Sequence, residues 1–269
     1  MVRILRRLLC CIVLLAAVLP LRAQRDVLDS DPLTARKKLV YDMVGVFAGL
    51  SGNSQGGTFR TSCDCEFTGG GGTTLTAGLL WERLTKSNIT WGGFLSIEGR
   101  GVESRFQEVE GLAMTSPRTG QTYTVPVTFR NIAQTRILTT TIAPYVKIEP
   151  LPWLFARLGP GFSFVLSGNV SHDKELMSSD VTLPGGEQAS VRLANSDGTT
   201  VRLEDVEIPG LQRLQISAIG AVGATIRVSK RVNLGPVVQY VLPFTTLSST
   251  NADFTIRSFQ FLLEARLIL

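Results

Sequence analysis

The stretch Ile142–Phe162, IAPYVKIEPLPWLFARLGPGF, decides the fold. Apolar and polar side chains alternate on both sides of Pro150-Leu151-Pro152, the pattern of two β-strands folded back at a tight turn. On the second arm Leu154, Ala156, Leu158, Pro160 and Phe162 share one face, and Arg157, Gly159 and Gly161 share the other. Alternation does not by itself say which face is buried. A soluble sandwich hides its apolar face, whereas a membrane-spanning strand shows it to lipid and turns its polar face inward.

Outward from this hairpin, eight strands are expected at about 41–53, 73–84, 89–103, 136–149, 153–167, 211–228, 232–242 and 254–269. Their connections alternate in length. Thr85–Asn88, Pro150–Pro152 and Ser229–Arg231 are short, while 54–72, 104–135 and 168–210 are long and 243–253 is moderate. Such segregation is the habit of strands threaded up and down through an outer membrane, with turns inside and loops outside. The faces agree: Trp91, Leu95 and Ile97 oppose Thr90, Ser96, Glu98 and Arg100, and Phe259, Phe261, Leu263 and Leu267 oppose Ser258, Gln260, Glu264 and Arg266. Each apolar face runs for about ten residues, the length a tilted strand needs to cross a bilayer. The expected fold is therefore all-β, an eight-stranded antiparallel up-and-down transmembrane β-barrel with long extracellular loops. Pro144, Pro160 and Pro236 fall inside these strands and each removes a ladder hydrogen bond, so bulges or changes of register are expected near them.

The chain divides into 1–23, a signal peptide; 24–40, a periplasmic N-terminal lead; and 41–269, the barrel. Residues 1–23 carry Arg3, Arg6 and Arg7, then an apolar run, then Leu-Arg-Ala-Gln, the three-part build of a secretory signal. Cys10 and Cys11 lie at the start of that run and leave with it. Four of the five net positive charges are Arg3, Arg6, Arg7 and Arg22, which leaves +1 on the exported chain and no electrostatic case for nucleic acid. The longest uncharged run after the signal, Val232–Ala252, contains Asn233, Pro236, Gln239 and Pro243 and is poor material for a spanning helix. The expected location is the bacterial outer membrane, with outer-membrane lipid and the assembly machinery as partners and an envelope or surface protein as a further one.

The polar faces supply Glu82, Glu98, Glu149 and Glu264 against Arg100, Lys147, Arg157, Arg213, Arg227 and Arg266. A barrel of eight strands is just wide enough for side chains to fill, so these charges are expected to interlock as a plug rather than line a water-filled pore. Cys63 and Cys65 are candidates for a local disulfide, with a reduced pair or a bridge to a partner as alternatives. Two cysteines and one distant histidine make a weak metal site, so the local staple is preferred to a ligand role, and no metal or cofactor is expected. Phe67–Gly72 has neither the Lys-Ser/Thr nor the helix of a phosphate loop and reads as a flexible lead into the second strand. Ser171-His172-Asp173 holds the single histidine, but neighbours on an extended segment point in different directions, so no catalytic residue is assigned. Hydrolase or acyltransferase chemistry centred on His172 at the outer rim, or a narrow channel or ligand binder, is the alternative. Two hairpins are expected in the long loops, 107–114 against 122–129 around Ser116–Gly120, and 191–193 against 201–203 around Asn195–Gly198.

The signal end, VGVFAGLSGN, SCDCEFTGGGGTTLTAGLLWERL and IAPYVKIEPLPWLFARLGPGFSFVLSG together resemble the outer-membrane β-barrel domain family, the OmpA-like and PorT-like barrels of Bacteroidota, Chlorobi and relatives. The resemblance covers nearly the whole exported chain at the level of pattern. It implies an eight-stranded barrel and mostly leaves function open; the expected role, a structural or surface-contact one rather than an enzyme's, rests on the residues above. The final Leu267-Ile268-Leu269 departs from the aromatic ending common in such proteins.

Overall fold

The computed structural model describes residues 41–61, 65–85, 89–183, 186–193, 198–250 and 253–269. The expected signal peptide and lead, 1–40, therefore lie outside the described residues. Fourteen strands follow in order: β1 (Tyr41–Gly56), β2 (Phe59–Arg60), β3 (Glu66–Phe67), β4 (Gly70–Leu84), β5 (Ile89–Thr115), β6 (Thr122–Leu151), β7 (Leu154–Leu176), β8 (Asp180–Thr182), β9 (Gln188–Ser190), β10 (Thr200–Glu207), β11 (Leu214–Ala224), β12 (Ile226–Arg227), β13 (Val232–Pro243) and β14 (Thr255–Ile268).

This corrects the expectation of an eight-stranded up-and-down transmembrane barrel. The strands form one ten-stranded sheet, with β2–β3 and β8–β9 as separate two-stranded sheets. The large sheet runs β10-β7-β11-β13-β14-β1-β4-β5-β6, with β12 on β13 and an additional β6–β7 pairing. The count differs because sequence read as loop is strand. β5 and β6 continue to Thr115 and from Thr122, and pair without a shift from Ile89↔Ile148 to Thr115↔Thr122. Ser116 and Gly120 close their turn, Gly120 at a φ of +70°. Gly70, Gly71 and Gly72 belong to β4 rather than to a flexible lead. The second expected hairpin is also corrected: β10 pairs with β7 instead, β9 pairs with β8, and 194–197 lie outside the described residues.

The prolines occupy interruptions in the ladders. Between β6 and β7 the pairs run from Ile142↔Phe162 to Val146↔Leu158 at one constant offset, which sets Pro144 directly opposite Pro160 in the gap. Each ring lacks the N–H that the other strand would have accepted, so two defects share one break. Pro236 lies between Gly223↔Val237 and Ile226↔Leu234, where Thr225 separates β11 from β12. A bulge sits further along β7: Leu138 pairs Ser167 but Thr139 pairs Val165, leaving Leu166 as an extra residue. Burial alternation changes phase there, from Ser163 and Val165 buried before it to Val170 and His172 buried after it.

One side of the large sheet faces itself. Side chains of strands that are not neighbours touch across it, as Glu82 of β4 meets Lys147 of β6, and Arg157 of β7 meets Glu264 of β14. The opposite side is apolar and open, with Leu75 72%, Leu158 66% and Leu263 60% exposed. Phe47, Phe94, Tyr145, Phe155 and Leu262 form an apolar cluster within the enclosed side. A second cluster, Phe59, Phe67, Val170, Ile208 and Phe254 among others, closes the end that carries the added strands. That end is the crown, and the end with the short connections is the turn end.

Candidate functional site

Period-two alternation places Glu82 on β4, Glu98 and Arg100 on β5, Lys147 on β6, Arg157 on β7, and Glu264 and Arg266 on β14 on the enclosed side. All seven are almost completely buried. Lys147 Nζ lies 2.6 Å from Glu82 Oε2, and the Tyr145 hydroxyl donates to Glu82 Oε1 at 2.9 Å. Lys147 also lies 3.0 Å from Glu149, which is partly exposed toward the turn end. Arg266 pairs with Glu264 and lies 3.9 Å from Glu82. Arg157 Nη1 lies 2.7 Å from Glu264, and its Nη2 donates to Gln239 at 2.9 Å.

Two glutamines carry the array onward. Gln239 donates to Gln260 at 2.8 Å, and Gln260 donates to Glu98 at 2.7 Å. Glu98 pairs with Arg100, and Thr141 donates to it at 3.1 Å; Arg100 in turn donates to Ser163 at 3.2 Å. The result is one continuous chain of polar contacts through β4, β5, β6, β7, β13 and β14. Four buried cations face three buried carboxylates, with Glu149 as the fourth. Rings cover the cation faces: Arg157 lies 5.2 Å from the Tyr145 centroid and 5.5 Å from that of Phe94, and Arg266 lies 4.5 Å from that of Phe155. Burying charge costs several kcal/mol per ion unless each charge is paired, so the array fixes which strand faces stay together more than it adds stability.

Two expected members lie elsewhere. Arg213 precedes β11 and is exposed, 3.8 Å from Glu207. Arg227 falls in β12, after the break at Thr225, and is exposed with its Nε donating to the Ser229 carbonyl at 3.4 Å. It lines a cavity of about 210 Å³ at the turn end together with Tyr41, Lys147, Glu149, Asn233 and Arg266. Gln239 and Gln260 are the members that a search for charged residues passes over; the alternation of β13 and β14 was the signal that placed them inward.

At the crown the bulge turns His172 inward, fully buried. Its Nδ1 lies 3.2 Å from Thr61 Oγ1 and its Nε2 lies 3.1 Å from Asn131 Oδ1, with the Phe67 ring edge-on at 5.6 Å. Burial holds the imidazole below its ordinary pKa; nearby Glu204 and Asp173 oppose the shift, and Lys174 adds to it. Ser171 and Asp173 alternate to the other side, and Asp173 pairs with Arg202 at 3.0 Å. The three neighbours therefore form no relay. Cys65 is disulfide-bonded, and Cys63 lies outside the described residues. No group of three His, Cys, Asp or Glu side chains that could hold a metal occurs among the described residues. No helix among them is long and apolar enough to cross a membrane, which says nothing about strands.

No known family model matches the chain, so the resemblance to the outer-membrane β-barrel domain family does not become membership. No characterised relative matches it in sequence. Among solved structures it is similar to Neisserial surface protein A (TM-score 0.35, 10% identity, covering 84% of this chain and 96% of that one). It is similar also to Ail, the attachment invasion locus protein of Yersinia pestis (TM-score 0.31, 9% identity, 85% and 99%), and to the outer membrane protease OmpT of Escherichia coli (TM-score 0.30, 9% identity, 89% and 99%). Similarity at this level carries no functional inference.

Proposed function

We propose that this chain is an integral outer-membrane protein of β-structure, with a salt-bridged interior that leaves no open path, serving envelope structure or surface contact rather than catalysis. The observation that carries the reading is the inversion of its two sides. Val46, Leu75, Leu79, Ile97, Ile142, Leu158, Phe261 and Leu263 face outward, each 46% exposed or more, while Glu82, Lys147 and Glu264 are wholly buried. Water would penalise that many large apolar groups on one surface, and an acyl environment removes the penalty. Trp81 and Trp91, edge-on at 5.1 Å near the turn end, suit a membrane–water boundary. Export by residues 1–23 supplies the route.

Electrophoresis of the outer-membrane fraction in SDS, with and without boiling, tests the reading. A heat-dependent mobility change of the full chain supports it. Recovery of the protein only from soluble fractions refutes it.

A further inference from the structure

The outward apolar face ends abruptly on one side of the sheet. Along β6 the outward positions run Val146, Pro144, Ile142, Thr140 and Leu138, and the next two are Arg136 and Gln134. In register with Arg136 lie Gly101 on β5 and Asn169 on β7. Thr73 of β4 lies on the same offset, and the row below holds Leu75, Gly99 and Leu138. Glycines at 99 and 101 place no side chain outward, and the space a Cβ at Gly99 would take is edged by Thr74 at 3.2 Å, so Arg136 borders a floor of backbone and one small side chain. The β4–β5 ladder is itself interrupted here, passing from Gly71↔Glu103 to Thr76↔Glu98. Asn53 and Thr74 bridge the gap by donating to the carbonyls of Gly101 and Gly99.

The outcome is an outward notch of about 540 Å³ lined by Gly72, Thr73, Gly101, Arg105, Gln134 and Arg136. Its one carboxylate, Glu103, is taken up by Arg105 and by Gln134, which donates to it at 3.1 Å. Arg136 has no ion-pair partner among the described residues. A solvated arginine needs none, but this one stands one row above Leu75 and Leu138, two leucines 72% and 41% exposed. Cation above, apolar shelf below and a floor of glycines edged only by Thr74 between them match an amphiphile with an anionic head.

We propose that this notch binds the phosphate headgroup of a membrane lipid, with Arg136 as its main charged contact and the lipid chains against Leu75, Leu138 and Ile97. The inference rests on the membrane reading above and adds a specific lipid site to it. The planar guanidinium fits a phosphate oxygen pair, and proximity to the apolar boundary strengthens the contact by thinning the water around it.

The test uses the full chain reconstituted in phosphatidylcholine bilayers doped with spin-labelled phosphatidic acid, reading the immobilised lipid fraction. Wild type is expected to prefer phosphatidic acid over labelled phosphatidylcholine. R136Q is expected to lower that preference roughly ten-fold, the worth of one charge-assisted hydrogen bond, and R136K to retain part of it. R118Q, at the far turn of the β5–β6 hairpin, is expected to leave it unchanged. Survival of the preference in R136Q overturns the site while leaving the membrane reading intact. Equal competition by inorganic phosphate overturns lipid recognition in favour of free-anion binding. Failure of wild type to enter bilayers overturns both.

Discussion

At the scale of single residues, the buried charges behave as a set. Removing Lys147 takes away the cation nearest to Glu82 and leaves that buried carboxylate with the Tyr145 hydroxyl at 2.9 Å and Arg266 at 3.9 Å. K147M is expected to cost about 3–5 kcal/mol, read as a lowered denaturation midpoint in detergent, and the double variant E82Q/K147M to recover much of that loss. His172 responds to pH in a defined direction. It lies beyond the bulge, outside the apolar outward band, and its folded-state pKa is depressed below 6.5, chiefly by burial. Its neutral form is the one the fold favours, so its contribution is complete above the unfolded pKa and is lost as pH falls through the folded value. Proteolysis of the segment around Phe59–Phe67 is expected to speed up in acid for wild type. H172Q should flatten that dependence between neutral and mildly acid pH.

At the scale of elements, Gly159 and the paired prolines form one unit. A Cβ at Gly159 would overlap the Pro144 carbonyl oxygen, because the strands approach closely where Pro144 and Pro160 face each other. G159A is expected to destabilise by about 1–3 kcal/mol, measured by the same denaturation, whereas an alanine at Gly93, whose nearest neighbour is the Ala143 carbonyl at 3.5 Å, should be far milder. The same elements show what was legible in the sequence. Strand existence followed from alternation at 89–103 and 254–269, and so did the inward placement of Glu82, Glu98, Arg157 and Glu264. Of the crown, the hairpin of 107–114 against 122–129 was legible, but the unbroken run of both strands between it and Ile89↔Ile148 was not. β5 and β6 beyond Ser104 and Ala133 alternate polar with small or aliphatic residues, a pattern equally suited to a separate loop hairpin, and β2, β3, β8, β9 and β12 are too short to leave a period. The bulge at Leu166 was invisible because apolar residues occupy 164, 165 and 166 alike, and with it went the inward turn of His172. Arg213 and Arg227 were misplaced because β11 is shorter than its apolar run, ending at Ala224.

At the scale of the whole molecule, the polar array fills the enclosed side from the turn end past its middle, and the Phe59–Phe67–Phe254 cluster lies beyond it toward the crown. Ions crossing along that side would have to displace paired charges and then apolar rings. Planar-bilayer recordings of the purified chain are therefore expected to show no unitary conductance at neutral pH. Steady open-channel steps would mean that the array parts readily and would remove the structural role assigned to it.

The position of Glu264 and Arg266 on β14 also sets a timetable. β14 hydrogen-bonds to β1 at one margin and to β13 at the other, joining the first strand to the last two. Until it docks, Arg157 has no carboxylate beside it, whereas Glu82 already has Lys147 at 2.6 Å. A chain whose last strand has not docked thus holds Arg157 without a carboxylate on the side destined to be dry, and water is what can stand in for Glu264 there. Glu264 and Arg266 add no net charge, so what the last strand completes is pairing: Arg157 gains its carboxylate, and Glu82 a second cation at 3.9 Å.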